Sequence, residues 1–401
     1  MTKAAAGCGT SGTTFAARSY GEQVERGGVG AQGGPRRPRR PVGTAVLALL
    51  LAVLAGSGAT PPEGPAEVRG EHHGPVVGAQ FHGLWDEWGP GERALVLDRL
   101  AARGVRHLRI DVSWAMIQPA GRDRYDMAWG VPFVDRVLAM AHERGFEVTA
   151  TFWLTPEWAR PPRGERSLPA DPADYAAALR WAAERWRDEV VAWEVWNEPN
   201  SATYLDPPDP VAYTRLLRAA HGAVRAGDRS AWTVLGGTEY VDVDWLRRCY
   251  EAGAQGSFDV LAVHPYPSPS DASPLDPVPP EGHGLRDLDA LLAEMDRRGD
   301  ASPVWLTELG WSVHGDLAST PPWARGVDEA EQARHLQQAL ELLRTEFPRV
   351  RRVYWYAASD TSTGRAHQDH FGLLRRDGSP RPVLDVLGCH ATGRCGRPAT
   401  G

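Results

Sequence analysis

The chain has 401 residues, a formal net charge of −7 and four cysteines. That length suits one large α/β domain or two small ones, and the acidic balance argues against nucleic acid or an anionic membrane as partner. No cysteine and histidine spacing resembles a zinc site, and no glycine-rich phosphate loop occurs, so neither a metal nor any other cofactor is expected.

Residues 1 to 41 are poor in bulky apolar side chains and end in a basic run from Arg36 to Arg40. Val42 to Ala55 is a short, nearly uncharged apolar stretch, and the small residues Ser57-Gly58-Ala59 follow it. This order is that of a secretory signal. Residues 1–59 are therefore read as a signal peptide with a long basic leader, 60–74 as a linker, 75–390 as the folded domain and 391–401 as a tail. The apolar stretch is short of the roughly 20 residues a membrane span needs, so a secreted protein with no stable membrane partner is expected, with an uncleaved signal anchor as the alternative. Cleavage removes seven cations and two anions, which takes the charge from −7 to −12. Cys389 and Cys395, six apart, are positioned to close a small loop in an oxidising compartment, and Cys249 is expected to be buried alone.

From residue 76 onward, apolar β-branched runs alternate with helical patterns. VVGAQFH (76–82) precedes ERALVLDRLAARG (92–104), and HLRIDVSW (107–114) precedes VPFVDRVLAMAHERG (131–145). EVTATFWL (147–154) precedes DYAAALRWAAERWRDE (174–189), and VVAWEVW (190–196) precedes VAYTRLLRAAHGAVRAG (211–227). WTVLGG (232–237), FDVLAVHPY (258–266), PVWLTELGW (303–311) and RRVYWYAASD (351–360) each precede a helical pattern in turn. Eight strand-helix units predict a parallel sheet closed into a (β/α)8 barrel. The segments after strands are long and rich in proline and aromatics, whereas the links back to the next strand are short, as a barrel with its site on the C-terminal face requires. The proline-rich segment 267–284 is read as an insertion over the mouth, because strand-helix units continue on both sides of it.

The predicted strand ends carry His82, Arg109, Trp153, Asn197-Glu198, His264 with Tyr266, Glu308 with Trp311, and Trp355. A strand-end glutamate is ordinarily a solvated rim residue and a tryptophan ordinarily a packing residue. Two glutamates at the ends of strands 4 and 7, each after an apolar strand, face the same mouth. Paired carboxyls among tryptophans, whose rings can stack on sugars, point to glycoside hydrolysis: one carboxyl protonates the leaving oxygen and the other attacks or activates water. By alternation Arg109 points into the barrel, where an unpaired cation is costly. It therefore serves either a structural ion pair or a carboxylate it keeps ionised.

WNEP (196–199), HPYP (264–267), LTELGW (306–311) and YWYAASD (354–360), in this order, resemble clan A glycoside hydrolases. WEVWNEPN is most similar to family 39, with families 5 and 42 as neighbours. The resemblance implies a retaining enzyme with Glu198 as acid/base and Glu308 as nucleophile. It further implies Asn197 as donor to a sugar 2-hydroxyl and Arg109, His264 and Tyr266 as supports around Glu308. Trp355 becomes the floor of the sugar subsite, and His82 matches a first-strand position. The expected partner is an oligo- or polysaccharide, and the protein is expected to act as a monomer. Family 39 xylosidases usually carry β-structure beside the barrel that this chain is too short to hold, so internal cleavage of a polysaccharide fits at least as well. A transglycosylase and a non-catalytic carbohydrate-binding protein are the alternatives on the same scaffold.

Overall fold

The computed structural model describes residues 74–315 and 320–395. The expected signal peptide, the linker up to residue 73 and the tail beyond 395 lie outside the described residues. Eight parallel strands form a closed barrel in sequence order: β1 (Val76–Gln80), β2 (His107–Ser113), β3 (Glu147–Trp153), β4 (Val190–Val195), β5 (Trp232–Glu239), β6 (Val260–His264), β7 (Val304–Leu309) and β8 (Val350–Trp355). Closure runs through β1 and β8, with Val77 opposite Val353 and Ala79 opposite Trp355. Strand-helix alternation continues without interruption through 267–284, whose Ser270 amide bonds to Pro322 O across the face. Among the described residues no helix is long and apolar enough to cross a membrane. Cys389 and Cys395 are bonded to each other, and Cys249 is free and buried.

Several helices start on local chemistry that the sequence carries openly. Asp171 and Asp209 accept hydrogen bonds from the amides that follow, with Pro172 and Pro210 at the first helical position, where no amide is needed. Asp328 and Glu331 bond each other's backbone amides in a capping box. Strand ends are set by donor supply: β6 stops at His264 because Pro265 has no amide to give the ladder. β8 stops at Trp355, short of the expected Asp360, yet Tyr356 and Ala358 still donate to Leu309 O and Gln80 O. One-turn helices at Trp114–Ile117 and Ala366–Asp369 carry too few residues for a periodic signal and were not expected.

Alternation divides each strand between two environments. Leu108, Ile110 and Val112 face the helices in the main core, whereas Ala192, Val234, Ala262, Trp305 and Tyr354 fill the lower barrel interior. Above them the interior turns polar: Gln80, Arg109, Thr151, Glu194, His264 and Thr307 are all fully buried. This layer requires room on β5, where the register shifts between Leu235 and Thr238. A β-carbon on Gly237 would lie 2.3 Å from His264 Nε2 and 2.6 Å from Thr307 Oγ1. Gly237→Ala is therefore expected to cost about 1–3 kcal/mol through overpacking, read as a lower urea midpoint with an unchanged slope.

Candidate active site

The strand that carries Glu198 ends in an unusual backbone. After Val195, Trp196 and Glu198 both take positive φ, 72° and 41°, a region that non-glycine residues seldom occupy and that clusters at functional sites. The Trp196 amide still donates to Phe152 O on β3, and the Glu198 amide donates to Gly237 O on β5. The segment therefore stays anchored on both sides while it turns the Asn197 and Glu198 side chains over the barrel mouth. Pro199 ends the ladder as its missing amide requires, and the two left-handed residues set the direction of the turn.

Arg109 organises the floor. Its Nε donates to Glu194 Oε2 at 2.5 Å, Nη1 donates to Gln80 Oε1 at 2.8 Å and Glu308 Oε1 at 2.7 Å, and Nη2 donates to Asn197 Oδ1 at 2.7 Å. Burial alone would disfavour its charge, but the charges of Glu194 and Glu308 outweigh that and hold the guanidinium protonated. Arginine has no acceptor, so Asn197 must present its carbonyl oxygen to it and turn its amide nitrogen away.

The two glutamates are held differently. Glu308 accepts from Arg109 on Oε1 and from the Tyr266 hydroxyl on Oε2 at 2.9 Å. Burial pushes its carboxyl up, and Arg109 and Tyr266 hold that rise down. Glu198 has no such cation. Burial, then the charge of Glu308 and that of Glu239, push it well above the usual carboxylate range. One donor oxygen of each, together with a His264 nitrogen, lie within 4.8 Å of one another. These three are the one cluster of metal-type donors among the described residues. The guanidinium 2.7 Å from Glu308 opposes a cation there, and His264 and Tyr266 already occupy the carboxylate oxygens.

Arg109 and Tyr266 sit against Glu308 as expected, but His264 does not. Its Nδ1 lies 2.7 Å from Glu198 Oε1 and 3.8 Å from Glu308 Oε2, so it serves the other carboxyl. Burial, with Arg109 nearby, keeps its ring neutral. His82 bonds Asp111 Oδ2 through Nδ1 at 3.2 Å and stacks on Trp85 at 3.9 Å between ring centroids. The strand-end tryptophans pack more deeply than expected. Trp311 is wedged between Trp355 and His335, with its ring NH on Ala272 O, and so backs the floor without facing the mouth. Trp153 packs on Trp196 and Tyr204, and Trp355 is buried with its NH on Phe371 O. Sequence reasoning gave no role to Gln80, Asp111, Glu194 or Thr307. Their signal was parity: each shares its strand face with a residue that was chosen or sits next to one.

A sequence model of cellulase, glycosyl hydrolase family 5, matches residues 70–339. The chain belongs to glycosyl hydrolase family 5. Family 5 is one of the two neighbours expected beside family 39, and a family 39 enzyme is among the similar solved structures. Solved structures similar to this family 5 chain include a family 39 glycoside hydrolase from the gut symbiont Bacteroides cellulosilyticus WH2, at 22% identity over 80% of this chain and 64% of that one, TM-score 0.61. Two others are the exo-beta-1,4-mannosidase Op5Man5 from Opitutaceae bacterium strain TAV5, at 18% over 79% and 59%, TM-score 0.57, and GH5_18 from Streptomyces cattleya in complex with GlcNAc, at 20% over 81% and 82%, TM-score 0.59. These share the fold, and the chain spans less than two thirds of the first two. No curated protein matches the chain in sequence.

In this family 5 barrel, Arg109→Met would leave Glu194 and Glu308 buried without a cation, and the expected cost is about 3–5 kcal/mol at neutral pH. Glu308, which burial pushes up and Arg109 holds down, would rise further above its unfolded value, so the variant recovers stability as pH falls and loses it as pH rises. Urea titrations of both proteins between pH 4 and 8 check this; a deficit independent of pH would reject it.

Proposed function

We propose that this protein is a secreted retaining glycoside hydrolase that cleaves a β-linked oligo- or polysaccharide by double displacement. The observation that carries the reading is a pair of buried carboxyls in unlike environments with oxygens within 4.8 Å. A retaining enzyme separates its carboxyls by about 5–5.5 Å, whereas an inverting one needs about 6.5–9.5 Å for an intervening water. Glu308, held by a guanidinium and a phenol, is the group fit to carry charge and attack the anomeric carbon. Glu198, pushed upward by burial and by the charge of Glu308, is the group fit to hold a proton for the leaving oxygen. The C1–O bond breaks as the C1–Glu308 bond forms, and the proton of Glu198 leaves with the aglycone. The charge of Glu308 is then consumed, so Glu198 can take a proton from the water that releases the sugar.

Asn197, whose amide nitrogen is turned away from Arg109, is placed to donate to a sugar hydroxyl. The mannosidase among the similar structures and a β-xylosidase from Caulobacter crescentus CB15, by their names, act on β-glycosides, which supports that anomer. Secretion rests on the basic, apolar and small-residue order of residues 1–59. With this carbohydrate partner the protein needs no cofactor.

A panel of aryl β-glycosides and β-linked polysaccharides tests the activity. A folded protein inactive on every member would favour carbohydrate binding without turnover. Glu198→Ala is expected to lower turnover of substrates with poor leaving groups by about 10²–10⁴-fold, and azide should restore product with retained configuration. Glu308→Gly with azide should give the inverted glycosyl azide, and the opposite pair of products would exchange the two roles. The pH dependence of kcat/KM should be bell-shaped, rising as Glu308 ionises and falling as Glu198 loses its proton.

A further inference from the structure

The polar interior beneath Glu198 contains a chain of hydrogen bonds whose proton positions are determined. Glu194 accepts four: Arg109 Nε at 2.5 Å and Thr151 Oγ1 at 2.7 Å on Oε2, and the Gly237 amide at 3.0 Å and Thr307 Oγ1 at 2.8 Å on Oε1. Four donors fill the lone-pair positions of a carboxylate, so Glu194 carries no proton of its own and the Thr307 hydroxyl hydrogen is committed to it. Thr307 Oγ1 lies 3.0 Å from His264 Nε2. With its hydrogen spent, the hydroxyl can only accept there. Nε2 must then carry the ring hydrogen. A neutral imidazole has one, so Nδ1 is a bare lone pair, 2.7 Å from Glu198 Oε1. Two lone pairs cannot face each other at that distance without repulsion, and a proton on Glu198 resolves it.

We infer that Glu194 and Thr307 are positioning residues that fix His264 with its hydrogen on Nε2, so that Nδ1 accepts from the acid proton of Glu198 and favours that proton in both half-reactions. Before bond cleavage the lone pair holds the carboxyl protonated, and rotation of the carboxyl about Cγ–Cδ delivers the proton to the glycosidic oxygen. After cleavage the same lone pair faces a carboxylate and raises its appetite for a proton from water. Other groups also face Glu198: Glu308 on β7, Glu239 on β5, Arg109 on β2, Glu194 on β4, and the hydroxyls of Tyr240 and Tyr266. None of them accepts a hydrogen bond from it in the structure, which leaves His264 as the group whose tautomer decides.

The inference rests on the proposed role of Glu198, and the experiment separates the two. Thr307→Val removes the acceptor for the Nε2 hydrogen and frees the ring to place it on Nδ1, where it would stabilise a charged Glu198. The basic limb of kcat/KM should move down by about one pH unit or more while the acidic limb stays. Glycosides with poor leaving groups should lose at least about tenfold more rate than a 2,4-dinitrophenyl glycoside, which needs no acid. Thr307→Ser should restore both. A basic limb that stays in place, with equal losses on both substrates, would overturn the inference. Neutron diffraction on the unaltered protein decides the same point without turnover and without depending on the folding of any variant. Deuterium on His264 Nε2 and on Glu198 sustains the inference, and deuterium on Nδ1 beside a bare Glu198 sinks it, even if no glycoside proves to be a substrate.

Discussion

A single buried cation holds the upper barrel together. Arg109 leaves β2 into an interior that excludes water and reaches acceptors on β1, β4 and β7 and on the segment after β4. Such a charge is tolerable only if its donors are met by ionised or polar partners, because desolvation of an unpaired guanidinium would cost several kcal/mol. Four acceptors from four parts of the chain can be brought to one point by a closed barrel, in which strands that are distant in sequence meet across the interior. The ion pair is best regarded as a constraint on geometry, since the gain from pairing is largely offset by loss of hydration.

The rest of the site follows from how that charge is shared. Glu308 lies on Arg109, which holds down the rise that burial imposes on it; Glu198 lies beyond the hydrogen bonds of Arg109, against a histidine, and is pushed well above the usual carboxylate range. Glu194, between them in the interior, carries the compensating negative charge without being near any open surface. Room for this arrangement comes from β5, where the bulge and Gly237 let a backbone amide reach Glu194 and a carbonyl receive the amide of Glu198. Positive φ at Trp196 and Glu198 completes it by turning the chain while both anchors stay made.

Much of this was legible residue by residue. Glu198 and Glu308 stood at the ends of apolar strands, and Arg109 lay on the inward parity of β2; Pro265, read inside the sixth strand, instead ended it. Glu194 was harder to read, because a carboxylate between Ala192-Trp193 and Val195-Trp196 has the parity of an interior residue but no partner nearby in sequence. Thr307 looks like any β-branched strand residue until its hydroxyl is placed between His264 and Glu194. The tryptophans misled for the opposite reason: large rings at strand ends suit sugar stacking and core filling equally, and Trp311 and Trp153 went to packing.

Periodicity and strand-end chemistry were enough by themselves to determine eight strand-helix units and a carboxyl at the end of the fourth and the seventh strand, since each depends on residues close together in the chain. The number and order of the units implied the closed parallel barrel that pairs those carboxyls. The tertiary structure alone decided that His264 serves Glu198, that Glu308 shares a cation with Glu194, and that Trp311 backs Trp355. Those choices depend on which side chains from separate strands come within hydrogen-bonding distance, and a difference of one ångström between Nδ1 and two carboxylates has no counterpart in the order of residues.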